Sequence, residues 1–140
     1  MEQVMEFAGN HMILVSAFFV ILSLLIINLA TDPAGKYAVD PNQATELINH
    51  QDAVIVDVRS MAEFRNGHII NAINIPLNGF KNQLGQLDKY KQRPVVACCR
   101  SGSRSGSAVR MLRDAGHEKA HNLRGGMLAW ESASLPVKRG

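Results

Sequence analysis

One stretch of the chain combines a cysteine with small and basic residues in a spacing that suits nucleophilic chemistry. An apolar, β-prone run ends at Cys99, and a helix-like pattern follows a short loop. That loop reads, in order, Arg100, Ser101, Gly102, Ser103, Arg104 and Ser105. A strand that turns through small residues into a helix directs backbone N–H groups and the positive helix end into one concavity. Positive potential lowers the pKa of a thiol, and the thiolate is the nucleophile, so we predict Cys99 as catalytic.

The spacing between the cysteine and the arginine distinguishes two kinds of anion site. A Cys-x5-Arg loop is the phosphate-sized version found in cysteine phosphatases. Here Arg104 follows Cys99 after four residues and the next position is Ser105, which argues against phosphate or arsenate chemistry. Guanidinium groups suit the oxyanions of sulfur, so we predict that residues 100–105 bind substrate. The simpler alternative is a buried cysteine at a strand end beside solvated arginines.

The second cysteine, Cys98, directly precedes the first. Side chains alternate along an extended strand, so Cys98 should point away from the loop and behave as a small buried hydrophobe. A resolving thiol is the alternative reading. Two adjacent cysteines cannot form a disulfide framework, and they favour a compartment that keeps thiols reduced.

The composition leaves room for one domain and an appendage. The chain has 140 residues, 46% of them hydrophobic, and a formal net charge of +3. Every Lys and Arg lies after position 35, without a basic block or interleaved aromatic and basic residues. We therefore expect mild attraction for small anions and no nucleic-acid partner.

Short apolar runs alternate with helical spacings along most of the chain. Predicted strands cover residues 36–39, 53–58, 72–75, 94–99 and 119–123. Asp40 and Pro41 form a helix start, and further helices are predicted at 61–65, 77–87, 105–115 and 126–130. This alternation predicts an α/β fold with a parallel sheet and helices on both faces. Catalytic loops of such sheets lie at the carboxyl ends of strands, where Cys99 falls.

The N-terminal region contains an apolar run that could cross a membrane. Residues 12–29 are apolar except for Ser16, Ser23 and Asn28, and as a helix they would span roughly 27 Å. A cleaved signal peptide is less favoured, because the preceding flank has no basic residue and no clean cleavage site follows. We therefore predict a flank at 1–11, a single-pass anchor at 12–30, a linker at 31–35 and a domain at 36–140. Because Lys36 follows the apolar run, the positive-inside rule favours a cytoplasmic location for the domain.

Four separated stretches carry a resemblance to a known family. The first stretch contains Asp57-Val58-Arg59, Glu63-Phe64 and Gly67-His68-Ile69, and the others are 72–76, the Cys99–Arg104 loop, and Gly125-Gly126 with Trp130. In this order they resemble the rhodanese homology domain. With its anchor, the chain is similar to the small membrane-tethered rhodaneses of Gram-negative bacteria, which implies the bacterial inner membrane. The resemblance also implies a five-stranded parallel sheet, a Cys99 persulfide intermediate, and no metal or organic cofactor.

The function that follows is sulfane sulfur transfer from thiosulfate or a similar anionic donor to a thiol or protein acceptor. Asp57, Arg59 and Glu63 form a plausible ion-pair and capping set, and we expect them to brace the loop rather than touch substrate. His68 and Trp130 are predicted to be structural, and His117 and His121 to lie at the surface. The alternative function is a non-catalytic, tethered binding or regulatory module.

Overall fold

The N-terminal part of the chain is helical. The computed structural model describes residues 1–31 and 33–140, and the chain divides between Asp32 and Pro33 into two compact units. The first unit contains helices α1 (Glu2–Asn10) and α2 (Met12–Thr31). Helix α2 has 20 residues, a mean hydropathy of 2.8 and no buried residue, so by length and composition it is able to cross a membrane. Part of the predicted linker, Asp32, lies outside the described residues.

The second unit is built on a parallel sheet of five strands. These are β1 (Ala38–Val39), β2 (Val54–Asp57), β4 (Ile73–Asn74), β5 (Val95–Cys98) and β6 (Ala120–Leu123), in the spatial order β1-β6-β5-β2-β4. Every neighbouring pair is parallel. The predicted five-stranded parallel sheet is therefore confirmed, with β5 at its centre.

Helices cover both faces of this sheet. They are α3 (Pro33–Lys36), α4 (Pro41–Gln51), α5 (Met61–Arg65), a 3-10 helix (Phe80–Tyr90), α6 (Ser103–Asp114) and α7 (Gly126–Ser132). Helix α4 begins where predicted. The Asp40 carboxylate accepts a hydrogen bond from the Gln43 backbone N–H at 2.7 Å, and the Gln43 side chain accepts one from the Asp40 N–H at 2.9 Å. This reciprocal pair satisfies two N–H groups at the helix start.

Two hydrophobic clusters lie on opposite sides of the sheet, and β5 contributes to both. Val95 and Ala97 pack in one cluster with Val109 and Leu112 of α6, and Cys99 continues the same face. Val96 and Cys98 pack in the other, with residues of α4 and α7. A strand buried on both faces reads as a continuous apolar run, which is why the sequence identified it. The alternation also places Cys98 and Cys99 on opposite faces, as predicted.

Some elements differ from the sequence prediction. Lys36 is the last residue of α3 rather than part of the first strand. Strand β3 (His68–Ile69) pairs antiparallel with β7 (Val137–Lys138), and two-residue strands are too short to show a periodicity. The prediction that His117 lies at the surface is wrong: the side chain is 1% exposed. Gly116, the residue before it, has a φ of 101°, and the His117 N–H donates to the Leu112 carbonyl of α6 at 2.9 Å.

Candidate active site

The central strands of the sheet bring three polar positions together at their carboxyl ends. Asp57 on β2 is level with Cys98 on β5, and Ala97 on β5 is level with Asn122 on β6. Cys99 follows immediately after β5. Because the three strands are adjacent and parallel, the residues that follow them share one edge of the sheet, where ligands bind in α/β folds.

The loop after Cys99 closes around the cysteine sulfur. The Gly102 backbone N–H donates a hydrogen bond to Cys99 Sγ at 3.0 Å, and the Ser105 hydroxyl donates to the same sulfur at 3.5 Å. Gly102 adopts a left-handed conformation with φ of 96°, which a side chain would disfavour, and α6 begins at the next residue. The predicted strand-loop-helix cradle is therefore present, with its N–H groups turned towards sulfur.

Two opposing effects act on the pKa of Cys99. Burial of the sulfur raises the pKa, because it disfavours the charged thiolate. Hydrogen bonds from the Ser105 hydroxyl and from the backbone N–H groups of Ser105, Ser101 and Gly102 outweigh burial and hold the pKa below its ordinary value. Hydrogen bonding to the charged form is thus the main source of thiolate stabilisation here. The sequence had assigned this effect more generally to positive potential.

Cys98 has the opposite electrostatic environment. Its thiol is buried, and burial together with the nearby Asp57 carboxylate raises its pKa well above the ordinary value. The two free cysteines are therefore chemically distinct. Cys98 packs as a neutral side chain, whereas Cys99 is the one whose thiolate is favoured.

The predicted substrate-binding residues divide into two groups. Gly102 and Ser105 are buried and contact the Cys99 sulfur. The remaining four are exposed around the loop: Arg100, Ser101, Ser103 and Arg104. Cys99 itself has no exposed surface.

Asn122 belongs to the same site and was not identified from the sequence. Its side-chain Nδ2 donates to the Gly102 carbonyl at 2.9 Å, and its Oδ1 accepts a hydrogen bond from the Ser105 hydroxyl. The side chain is buried. One feature of the sequence could have identified it. Asn122 is an amide side chain in a strand predicted to be buried, at the same edge as Cys99, and a buried amide needs hydrogen-bond partners.

Helix α7 holds the start of the loop from the other side. The Met127 N–H donates to the Cys99 carbonyl at 2.8 Å, and the Leu128 N–H donates to the Arg100 carbonyl at 3.0 Å. Gly126 permits this approach, because a Cβ at that position would lie 2.3 Å from the Cys99 carbonyl oxygen. The absence of a side chain at Gly126 thus allows α7 to pack directly against the backbone of the Cys99 loop.

The three residues predicted to brace the loop act in two separate ion pairs. Arg59 and Asp57 form a buried pair, with Nη2 2.7 Å from Oδ2, and Arg59 also donates to the Gly67 carbonyl at 2.7 Å. Glu63 instead reaches across to Arg104, with Oε2 3.2 Å from Nη2. Ser60, rather than an acidic residue, caps α5 by accepting a hydrogen bond from the Glu63 N–H.

The two other singled-out side chains have structural partners. The His68 ring stacks on Phe64 at 3.7 Å between centroids, and its Nδ1 lies 2.8 Å from the Phe64 carbonyl. Trp130 packs in the core and donates from Nε1 to the Pro136 carbonyl at 3.0 Å. Across residues 1–31 and 33–140, no cluster of three or more His, Cys, Asp and Glu residues is placed to hold a metal ion.

Comparison with known proteins agrees with this geometry. The model of the rhodanese-like domain matches residues 40–133. The chain is 34% identical to the uncharacterized protein YibN of Escherichia coli, over 100% of this chain and 99% of that protein. It is 36% identical to a protein named sulfurtransferase from Allochromatium vinosum, over 65% of this chain and 83% of that one. A rhodanese-related protein from Thermoplasma volcanium has a similar structure, with a TM-score of 0.67, 26% identity and coverage of 74% of this chain and 98% of that one.

The chain therefore belongs to the rhodanese-like family. The family match begins directly after β1 and covers the other four strands of the parallel sheet and the Cys99 loop. The relative named sulfurtransferase supports a sulfurtransferase family for this domain.

Proposed function

We propose that this protein is a membrane-anchored sulfurtransferase that carries a sulfane sulfur as a persulfide on Cys99. The observation that carries the proposal is the environment of the Cys99 sulfur, which receives the Gly102 N–H at 3.0 Å and the Ser105 hydroxyl at 3.5 Å. These donors favour the thiolate over the thiol by lowering the pKa of Cys99, and a thiolate is the form that attacks sulfur. The Allochromatium relative is named for the same class of reaction.

The first half-reaction loads the cysteine. The Cys99 thiolate attacks the outer sulfur of thiosulfate, and an S–S bond forms while the bond from that sulfur to the sulfonate breaks. The bonding electron pair leaves with sulfite, so no oxidant or metal is needed. The persulfide carries its negative charge on the outer sulfur, and we propose that backbone N–H groups of the loop stabilise that anion, as the Gly102 N–H does for Cys99 Sγ.

The second half-reaction transfers the outer sulfur from Cys99 to an acceptor. A thiophilic acceptor, such as a cellular thiolate or cyanide in an assay, attacks the outer sulfur and forms a new bond to it. The S–S bond breaks and its electron pair returns to Cys99 as the thiolate. Two half-reactions through a covalent intermediate predict ping-pong kinetics, with parallel double-reciprocal lines.

The exposed residues of the loop attract the anionic donor. Arg100 and Arg104 are exposed beside the cysteine, and guanidinium groups bind sulfur oxyanions through paired hydrogen bonds. The Arg104 guanidinium already forms an ion pair with the Glu63 carboxylate. Arg100 therefore supplies the first attraction, and Arg104 binds the donor in competition with Glu63.

The apolar helix α2 is the proposed anchor. Its 20 residues match the thickness of a bilayer core, and the hydroxyls of Ser16, Ser23 and Thr31 donate to carbonyls four residues earlier. Those bonds satisfy the three hydroxyl protons without water. The flank before α2 lacks Lys and Arg, whereas Lys36 follows α2 closely. We therefore place the domain on the cytoplasmic side of a bacterial inner membrane.

Intact-mass measurement of the detergent-solubilised chain after thiosulfate treatment tests the sulfurtransferase. We expect the wild type and Cys98→Ser to gain one sulfur atom that cyanide removes, and Cys99→Ser to gain none. If no variant gained sulfur, the domain would be a rhodanese fold without this chemistry. A tethered binding module would then be the better account, and Cys99→Ser would leave its cellular role intact.

Membrane attachment is tested separately by extracting bacterial membranes with alkaline carbonate. We expect the full chain to remain with the lipid and a chain that begins at residue 33 to be released. Release of the full chain would contradict the anchor while leaving the sulfur chemistry unaffected.

A further inference from the structure

The side chain of Asn122 contacts two parts of the loop that holds the Cys99 sulfur. Its Nδ2 lies 2.9 Å from the Gly102 carbonyl oxygen, and its Oδ1 contacts the Ser105 hydroxyl. The orientation of the amide is fixed by the carbonyl, because a carbonyl oxygen needs a donor and only the NH2 end of the amide can supply one. Gly102 and Ser105 are also the residues that donate to the sulfur.

The Ser105 hydroxyl has one proton and three acceptors within reach. These are Cys99 Sγ at 3.5 Å, the Gly102 carbonyl at 3.2 Å and Asn122 Oδ1. A thiolate is the strongest of the three acceptors because it is charged. Two neutral acceptors compete with it. One is the Gly102 carbonyl, which is costly to leave without a donor when buried and which the Asn122 amide already supplies; the other is Asn122 Oδ1 itself.

We propose that Asn122 is a positioning residue for the chemistry of Cys99: its amide satisfies the Gly102 carbonyl and so reserves the single hydroxyl proton of Ser105 for the sulfur. When the sulfur is uncharged, Asn122 Oδ1 accepts that proton instead, so the buried hydroxyl is satisfied in both states. The same amide holds Gly102 in the left-handed conformation that directs its N–H at Sγ. Without Asn122, Ser105 turns to the Gly102 carbonyl and the thiolate loses a donor.

The charges around the sulfur do not change when Asn122 is replaced by alanine. Arg104 on α6 interacts electrostatically with Cys99, and it is paired with Glu63 on α5. Arg100 follows Cys99 directly and is exposed, and Cys98, the preceding residue on β5, faces Asp57 and Arg59. A shift in the titration of Cys99 in the alanine variant therefore reports on hydrogen bonds rather than on charge.

The test is the pH dependence of Cys99 alkylation by iodoacetamide, measured by peptide mass on the full chain in detergent. In Asn122→Ala we expect the midpoint to move to higher pH and the rate below it to fall on the order of three- to tenfold. The rate at the alkaline plateau should be unchanged, because the thiolate there is fully formed. A merely structural role would change access to the sulfur and lower the plateau as well.

Asn74 provides the matched control. It lies at the end of β4, at the same edge of the sheet, and donates through Nδ2 to the backbone carbonyls of Asp57 and Arg59, at 3.0 Å each. Asn74→Ala removes a comparable brace that does not touch the Cys99 loop, so the midpoint should stay in place. An equal shift in Asn74→Ala would overturn the inference, since it would show that general loosening of this edge raises the pKa.

Two further variants make the test decisive. Asn122→Asp keeps the size of the side chain but cannot donate to the Gly102 carbonyl, and its charge opposes the thiolate, so the midpoint should move further in the same direction. In a Ser105→Ala background, Asn122→Ala should have a smaller effect, because the proton it reserves is gone. Unmoved midpoints in folded Asn122 variants would overturn the proposal. If neither Asn122→Ala nor Asn122→Asp folded, the proposal would also be overturned, because the role of Asn122 would then be structural.

The inference rests on the proposed function only in treating Cys99 as the reacting atom. If the wild type fails to gain sulfur from thiosulfate, the sulfurtransferase proposal fails, yet the alkylation midpoints still decide the role of Asn122. If sulfur loading succeeds and the midpoints do not move, Asn122 alone is the part that is wrong.

Discussion

Arg104 and Glu63 form an ion pair between α6 and α5, with Nη2 3.2 Å from Oε2, although 41 positions separate them in the chain. Their side chains are 44% and 37% exposed, respectively. Hydrogen bonding between them raises the pKa of Arg104 and lowers that of Glu63. The carboxylate therefore neutralises part of the positive charge at the loop, and under the proposed function Glu63 competes with the anionic sulfur donor for Arg104.

Removal of this carboxylate should strengthen donor binding. In Glu63→Gln we expect the KM for thiosulfate to fall by up to about fivefold, which is the range of an exposed ion pair, with little change in kcat. Steady-state assays at low and high salt measure the KM. The difference in KM between Glu63→Gln and the wild type should shrink at high salt, because salt screens the charge. Asp88→Asn removes a carboxylate from another exposed pair, Lys91–Asp88, and should leave KM unchanged. A higher KM in Glu63→Gln would mean that Glu63 orients Arg104 for the donor instead.

The close contact between α7 and the loop predicts a steric limit at Gly126. In Gly126→Ala the new Cβ would lie 2.3 Å from the Cys99 carbonyl oxygen and 2.7 Å from the Arg100 carbonyl carbon, at a φ of 55°. Backbone atoms cannot move aside as a flexible side chain can, so we expect a loss of about 3 kcal/mol or more in the free energy of unfolding. Urea unfolding measures the change.

Gly85 is the control for that substitution. It lies in the 3-10 helix, and a Cβ there would meet no atom within 4 Å. Gly85→Ala should be neutral or stabilising by up to about 1 kcal/mol, since alanine restricts the unfolded chain. Similar losses in both variants would show that the contact between α7 and the loop is not what makes Gly126 necessary.

The sequence was sufficient to predict the sheet and the position of Cys99, because both follow from local patterns. Apolar runs specified the buried strands, and the Cys-x4-Arg loop followed the central one. The partners of the loop were harder to predict. Asn122 reaches Gly102 because Asn122 is level with Ala97 in the sheet, and Glu63 meets Arg104 because α5 and α6 begin at the same edge of the sheet. Registers and contacts between loops depend on the whole fold and leave little local signature.

The buried ion pair between Asp57 and Arg59 predicts a large loss of stability. Asp57 accepts from the Arg59 side chain and from its backbone N–H, and neither side chain has appreciable exposure. In Asp57→Asn the shape is kept but Arg59 remains as a buried, uncompensated charge, which costs about 3–5 kcal/mol. Urea unfolding should reveal this loss, while Asp88→Asn, in an exposed pair, should change stability by less than about 1 kcal/mol. Equal losses of stability in Asp57→Asn and Asp88→Asn would contradict this prediction.

The buried His117 predicts how stability depends on acidity. Burial lowers its pKa, and the nearby Lys91 ammonium lowers it further, against a weaker opposing effect of Asp88. Neither ring nitrogen has a hydrogen-bond partner within the part of the chain that the structure describes. The fold therefore favours the neutral ring. A group with a depressed pKa in the folded state contributes stability that is present above its unfolded pKa, about 6.5 for histidine. That stability is lost as the pH falls through the lower, folded pKa.

We therefore expect the free energy of unfolding to decrease on acidification from neutral pH, by about 1.4 kcal/mol for each unit by which the pKa of His117 is lowered. His117→Phe keeps a planar ring of similar shape and removes the titration, so its stability should depend less on pH over the same range. The exposed His50 gives the comparison, since His50→Asn should leave the wild-type dependence unchanged. Urea unfolding at several pH values measures all three proteins. If His117→Phe loses as much stability as the wild type on acidification, protonation of His117 is not what destabilises the fold in acid.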